Sequence, residues 1–248
     1  MKKVLAVILA AVLCMSFLTA CGDKATSGKE VLKVGTNAEF PPFEYIGDDG
    51  EPDGFDIALI KAIAEKMDMD VEVSNMEFGS LIGAVGTKID LAIAGMTVNE
   101  ERLQTVDFSN TYYEAVQYVI VPAGSTIASA ADLKNKTIGV QMGTTGMFIA
   151  EEIEGATVKN YNKGVDAVND LVNGRVDVVI IDKNPAEVFA SEYQGKVVAI
   201  DGAAFEFEPE YYAIALPKGS DMVEKVNNAL AELIADGTFD ALVKQYIQ

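Results

Sequence analysis

The sequence predicts an α/β protein of two lobes, each a sheet flanked by helices. From Val31 onward, short strand-like runs alternate with segments of helical period, the pattern of parallel sheets whose faces are covered by helices. The chain also repeats itself: Lys88-Ile89-Asp90-Leu91-Ala92-Ile93-Ala94-Gly95 aligns without gaps to Arg175-Val176-Asp177-Val178-Val179-Ile180-Ile181-Asp182. Any two buried parallel strands look alike, but a shared basic residue, then Ile or Val, then Asp at the strand start argues for two similar lobes. Third, Asn37, Gly95, Gln141 and Asp182 all fall at the carboxyl ends of strand-like runs, where ligands sit in parallel sheets. Two lobes with those ends facing each other would enclose a cleft.

Residues 31–36 read as the first strand. Residues 55–67 (FDIALIKAIAEKM) carry apolar side chains at helical spacing among strong helix formers, so a helix is expected there. Strands follow over 71–74 and 90–94, with a short helix over 80–85 between them. The alternation resumes with a strand over 137–140, helices over 146–153 and 164–173, and a strand over 176–181. The matching strands 32–37 and 137–141 set Asn37 opposite Gln141. Two C-terminal helices, 221–235 and 239–247, are broken by Asp236-Gly237-Thr238, with Gly237 ending one and Thr238 capping the next. The acidic stretch Asp48-Asp49-Gly50-Glu51-Pro52-Asp53-Gly54 resembles a calcium loop superficially. Position twelve counted from Asp48 or Asp49 is Leu59 or Ile60, where an EF-hand needs Glu, so a hairpin turn is the better reading.

Composition limits the chemistry. The 248 residues hold 19 Lys plus Arg against 38 Asp plus Glu, a formal charge of −19, which argues against nucleic acid because its binding relies on basic residues. With no His in the chain, Ser-His-Asp, Cys-His and His-ligated zinc chemistry are excluded; no metal site and no cofactor are expected. Lys2 and Lys3, the uncharged apolar run 4–13, and small residues before Cys21 describe a secretory signal over residues 1–20. The apolar stretch 4–20 stands at the short limit for a membrane span. Leu18-Thr19-Ala20-Cys21 resembles the bacterial lipoprotein box, which implies that Cys21 is acylated and becomes the membrane anchor. Cys14 would leave with the signal, so a single cysteine remains and no intrachain disulfide forms. Residues 21–30, small and polar, suit a flexible tether.

Arg102 and Arg175 are the only arginines. The repeat puts Arg175 at the solvent-side start of a strand, whereas Arg102 comes directly after a strand end. Thr97 and Glu100 fit capping-box spacing, and a helix N-terminus with a guanidinium one turn on would trap a carboxylate. Spacing alone equally allows a solvated arginine. Asp182 emerges from the apolar run 176–181, where it could accept hydrogen bonds from an ammonium group, cap the following helix, or both.

Several motifs together carry a family resemblance. They are Gly35-Thr36-Asn37-Ala38-Glu39-Phe40-Pro41-Pro42-Phe43-Glu44-Tyr45, Gly54-Phe55-Asp56-Ile57, Ala94-Gly95-Met96-Thr97, Glu100-Glu101-Arg102, Val106-Asp107-Phe108-Ser109, Tyr112-Tyr113-Glu114, residues 139–146 and Asp236-Gly237-Thr238. Across 31–248 the chain resembles the polar amino-acid binding proteins of ABC importers. The resemblance implies a two-lobed, periplasmic-binding-protein-like fold that closes about a two-strand hinge near 112–116 and 208–211. Residues 31–113 and 211–248 would form lobe 1 and residues 114–210 lobe 2, with the C-terminal helices packed back on lobe 1. It further implies that Arg102 binds the ligand α-carboxylate, aided by backbone N–H groups near Thr97, Thr144 and Thr145. Asp182, the carbonyl groups around Ala94 and Gly95, and the Thr97 hydroxyl would hold the α-ammonium. Phe40 and Phe78 would sandwich the side chain, and Asn37 and Gln141 would contact its polar end.

Implied partners are a free amino acid, the permease subunits of an importer, and the membrane through the lipid on Cys21; a monomer on the outer face of the cytoplasmic membrane is expected. Cationic-ligand members often carry Asp at the Asn37 position, and no arginine is left to serve a second carboxylate, so a neutral polar, glutamine-like side chain is expected over a cationic one. Glu39 keeps the cationic alternative open. Two rivals use the same scaffold: a cyclohexadienyl-dehydratase-like enzyme, with Glu39 as its best-placed acid or base, and a lipid-anchored amino-acid sensor. Asp182, intact at the ammonium position, favours plain capture over turnover.

Overall fold

The computed structural model describes residues 28–248, and the expected signal 1–20, Cys21 and most of the tether 21–30 lie outside the described residues. Along the chain, β1 (Val31–Thr36) leads into a small antiparallel sheet of β2 (Glu39–Phe40), β3 (Glu44–Ile46) and β4 (Pro52–Asp53). The acidic stretch is the turn of that hairpin: Gly50 takes φ +84°, and the Glu51 N–H donates to Asp49 Oδ1. Helix α1 (Phe55–Lys66) follows, with Phe55, Ile57, Leu59, Ile60 and Ile63 buried. Next come β5 (Asp70–Asn75), a 3₁₀ turn Phe78–Ser80, α2 (Leu81–Ala84), β6 (Leu91–Ala92), α3 (Glu100–Leu103) and β7 (Val106–Phe108). Only two residues of the expected strand 90–94 pair as a strand. The chain then bends toward the cleft through Gly95, at φ +50°.

After β8 (Tyr113–Ala115) and β9 (Gln117–Pro122), the second half runs β10 (Thr137–Gln141), α4 (Thr145–Glu152), β11 (Thr157–Tyr161), α5 (Gly164–Val172), β12 (Val178–Asp182), α6 (Lys183–Glu192) and β13 (Val197–Ile200). It returns through β14 (Glu210–Tyr212) to β15 (Ala215–Pro217), α7 (Met222–Ala235) and α8 (Thr238–Tyr246). The last strand of the repeat is shifted toward the cleft, Val178–Asp182 rather than 176–181.

The two five-stranded sheets share one plan. Their orders are β5-β1-β6-β15-β7 and β11-β10-β12-β9-β13; in each the fourth strand alone is reversed, antiparallel to both of its neighbours, and the other four run the same way. In each sheet the fourth strand is the one entered directly after crossing between lobes, through β8 or β14, which pair with each other as a two-stranded ribbon. Asp90 explains the repeat: its carboxylate accepts the Lys33 N–H at 2.8 Å while its own N–H donates to the Lys33 carbonyl. Asp177 makes the same pair of bonds to Thr137. A strand-start Asp clamps the neighbouring parallel strand in both lobes.

The cores follow from strand parity. Along the fully buried β12, Val179 and Ile181 pack with Ala167, Val168 and Leu171 of α5, whereas Val178 and Ile180 face the opposite cluster with Ala150 of α4. In the first lobe, Leu32 and Val34 pack with α1, onto which α7 lays Val226, Leu230 and Leu233. Each such side chain stabilises the fold by roughly 1.5–3 kcal/mol. At the junction of the α7 and α8 helices Gly237 is left-handed at φ +82°, as expected of a helix terminator. Thr238 does not cap; the Asp236 side chain accepts its N–H instead. No helix among the described residues is long and apolar enough to cross a membrane.

Candidate functional site

The carboxyl ends of β1, β6, β10 and β12 bound one narrow cavity. Its walls are Asn37, Phe40, Phe78, Ala94, Gly95, Thr97 and Arg102 from the first lobe, with Gln141, Thr144, Thr145 and Asp182 from the second. All eleven side chains or backbone segments expected at a ligand site therefore meet in one place. Arg175 does not: it is exposed and paired with Asp170 outside the cleft.

Arg102 sits in a single-turn helix yet is only 6 % exposed. Its Nη1 donates to the Thr97 carbonyl at 2.6 Å and its Nη2 to the Gly143 carbonyl of the opposite lobe at 3.0 Å. The guanidinium lies 5.3 Å from the Phe78 ring centre, a cation–π distance. Burial lowers its pKa to about 10, with Glu210 and Asp182 opposing the shift, so it stays charged at neutral pH. The expected capping box is absent. Because α3 starts at Glu100, Asn99 is the residue in position to cap, and its side chain accepts the Arg102 N–H at 2.8 Å. Thr97 lies earlier, in an extended bridge to Tyr212.

Asp182 is likewise 6 % exposed. It occupies the first cap position of α6 but makes no side-chain cap bond; its carboxylate accepts the Tyr212 hydroxyl at 2.6 Å. Burial, and then the Glu210 charge, push its pKa well above the usual carboxylate range. Tyr212 is held for this contact by an aromatic cluster in which Phe43 lies 5.2 Å and Tyr113 5.6 Å from it, ring centre to ring centre. At the far end, Gln141 Nε2 donates to Asn37 Oδ1 across the lobes at 2.8 Å and to the Asn162 carbonyl, while Asn37 Nδ2 donates to the Met76 carbonyl. The two amides expected to meet a ligand thus also meet each other. Thr144 caps α4, its hydroxyl accepting the Met147 N–H and donating to the Gln141 carbonyl.

Gly95 is pinned from below: its N–H donates to Asp56 Oδ2 at 2.7 Å, and a Cβ there would come 2.9 Å from the Phe40 ring. Asp56 and Glu44 form a fully buried acid pair. Burial followed by the Asp56 charge raises Glu44 far above its usual value, and burial raises Asp56 to about 6. The Tyr112 hydroxyl completes the cluster at 2.8 Å from Asp56. Glu39, the best-placed acid or base of the enzyme reading, is held by Lys163 of the opposite lobe at 2.5 Å. No cluster of metal-ligating side chains occurs among the described residues.

Sequence reasoning missed Glu210, Gln117 and Tyr212. Glu210 Oε2 accepts the Thr97 and Thr145 hydroxyls, each at 2.7 Å, and Gln117 Nε2 at 3.3 Å. The available signals were a glutamine heading the otherwise apolar run Gln117–Pro122 and a carboxylate beside two tyrosines in the second crossing.

The model of bacterial extracellular solute-binding proteins, family 3, matches residues 32–248. The arginine-binding extracellular protein ArtP of Bacillus subtilis is 38 % identical over 257 residues, covering 99 % of this chain and 98 % of that protein. An ancestral arginine-binding protein bound to arginine superposes with a TM-score of 0.83 at 38 % identity, covering 89 % of this chain and 99 % of that one. An ancestral arginine-binding protein bound to glutamine gives 0.80 at 38 %, covering 88 % and 98 %. The ancestral amino acid-binding protein AncCDT-1, a precursor of cyclohexadienyl dehydratase, gives 0.80 at 33 %, covering 88 % and 96 %. A match over nearly the whole of the folded chain, on a fold of two like lobes around one polar cleft, makes this protein a member of the bacterial extracellular solute-binding proteins, family 3.

Proposed function

We propose that the chain is the amino-acid-binding component of an ABC importer, capturing a free L-amino acid between lobes 31–113/211–248 and 114–210 and presenting it to a membrane permease. One observation carries this reading: a buried guanidinium and a buried carboxylate, Arg102 and Asp182, reach one cavity from opposite lobes. A zwitterion pairs both charges at once, and only a ligand touching both lobes favours the closed form. Three or four charge-assisted hydrogen bonds of roughly 1.5–3 kcal/mol each, less the cost of closure, give about −8 kcal/mol, a micromolar affinity. Relatives named for arginine binding support the class of ligand. Thermal-shift screening of the twenty amino acids tests it, because a ligand that binds the native state alone raises the melting temperature. No shift with any of them refutes capture.

For the side chain, the far end of the cleft decides. Gln141 uses its NH₂ on Asn37 and Asn162, and Asn37 uses its own on Met76. That spends both Gln141 N–H groups and one of the two on Asn37, so what the pair offers a ligand is mainly acceptors, Gln141 Oε1 and a second lone pair on Asn37 Oδ1, against one remaining Asn37 N–H. A terminal amide or cation supplies donors; a carboxylate does not. Glutamine is the first choice and is expected to bind more tightly than glutamate in calorimetric titration; equal or tighter glutamate binding contradicts it. An arginine-like cation is the second reading, supported by the relatives' names. Binding without turnover is supported by Glu39 being committed to Lys163. Export and acylation at Cys21 complete the proposal, tested by mass spectrometry of the membrane-extracted protein.

A further inference from the structure

Glu210 stands on β14, in the second crossing between lobes, and no role in ligand recognition follows for it from anything above. Its Oε2 gathers three donors: the Thr97 hydroxyl of the first lobe at 2.7 Å, the Thr145 hydroxyl of the second at 2.7 Å, and Gln117 Nε2 of the second at 3.3 Å. A hydroxyl has one proton to give. With that proton directed to Glu210, Thr97 turns lone pairs toward the cavity. The Thr145 oxygen is further occupied by Gln117 Nε2 at 3.1 Å. Beside Asp182, whose carboxylate is held by Tyr212, the wall becomes acceptor-only, which is what an ammonium group requires.

We propose that Glu210 is a further residue of the binding site: a positioning carboxylate that makes the Thr97 hydroxyl an acceptor for the ligand's α-ammonium group and, by joining donors from both lobes, ties ammonium recognition to closure. The inference rests on the amino-acid-capture reading and deepens it. The charged and titratable groups facing the Asp182–Glu210 pair are Arg102 from α3, Tyr113 from β8, Tyr212 from β14 and Glu44 from β3, with Asp56 of α1 behind. Of these, Glu210 is the group whose charge raises the Asp182 pKa most after burial itself. Ammonium binding needs Asp182 ionised, so affinity falls as pH drops through that raised value, and removing the Glu210 charge moves the fall to lower pH.

The test is calorimetric titration of the full chain and of Glu210→Gln with L-glutamine and L-arginine across pH. For whichever amino acid the unmodified protein binds more tightly, Glu210→Gln is expected to lose at least about ten-fold in affinity near pH 8 while its acid-side midpoint shifts down. An unchanged affinity or an unshifted midpoint overturns the proposal, the latter because a merely structural loss leaves the titration where it was. Should Glu210→Gln not fold, Glu210→Asp keeps the charge and shortens the reach: lower affinity with the original midpoint is expected, and undiminished affinity overturns it. If the unmodified protein binds no amino acid, capture itself falls and the proposal with it. A variant that binds as the unmodified protein does removes Glu210's role alone.

Discussion

Arg102 shows what a single buried side chain contributes. One of its donors reaches the Thr97 carbonyl of its own lobe and its face rests on Phe78 of the same lobe, so those two contacts orient the guanidinium independently of the second lobe. Truncation to Ala is expected to cost at least about 2 kcal/mol of amino-acid binding, read by calorimetry; unchanged affinity removes Arg102 from the site. Asp182, Asn37 and Gln141 could be placed at the cavity because their signal is local, a polar group directly after a strand-like run, and Arg102 because it is one of two arginines and follows soon after a strand end. Glu210 could not, because its role depends on hydroxyl protons from two distant segments, and Thr97 was read as a cap because spacing carries no information about where a hydroxyl points.

Elements were legible where the pattern is periodic and blurred where a cap or a glycine decides the boundary. Helix α1 matched within a residue, whereas β6 proved far shorter than its apolar run, since Gly95 diverts the chain to reach Asp56. Gly54, before α1, takes φ +120° and leaves no room: a Cβ would stand 2.4 Å from the Phe43 carbonyl oxygen. Gly54→Ala is expected to destabilise by about 1–3 kcal/mol or more in denaturant unfolding. The repeat makes a cleaner prediction. Asp90 and Asp177 each hold a neighbouring strand by the same bond, at 2.8 and 2.7 Å. Asp90→Ala and Asp177→Ala should each cost about 1 kcal/mol, and the double variant close to the sum, because the sites share no partner. A cost confined to one lobe would mean that the repeated Asp is coincidence.

At the scale of the molecule, the lobes meet through bonds of very different worth. Lys163 and Glu39 close the mouth of the cleft, but Lys163 is 45 % and Glu39 25 % exposed, so water and salt screen the pair. Deeper in, the Gln141–Asn37 bond, the Arg102–Gly143 bond and the Glu210 cluster are wholly or partly shielded, and there a lost partner leaves a buried polar group unpaired. Closure should therefore be governed from the floor of the cleft and not from its rim. Lys163→Ala is expected to raise the ligand dissociation rate by no more than about five-fold, the equivalent of an exposed pair worth about 1 kcal/mol, and less at higher salt. Stopped-flow measurement of ligand release at low and high ionic strength checks this. A larger, salt-independent acceleration would make the rim pair the latch, and the ligand's two charges would then no longer suffice to account for closing.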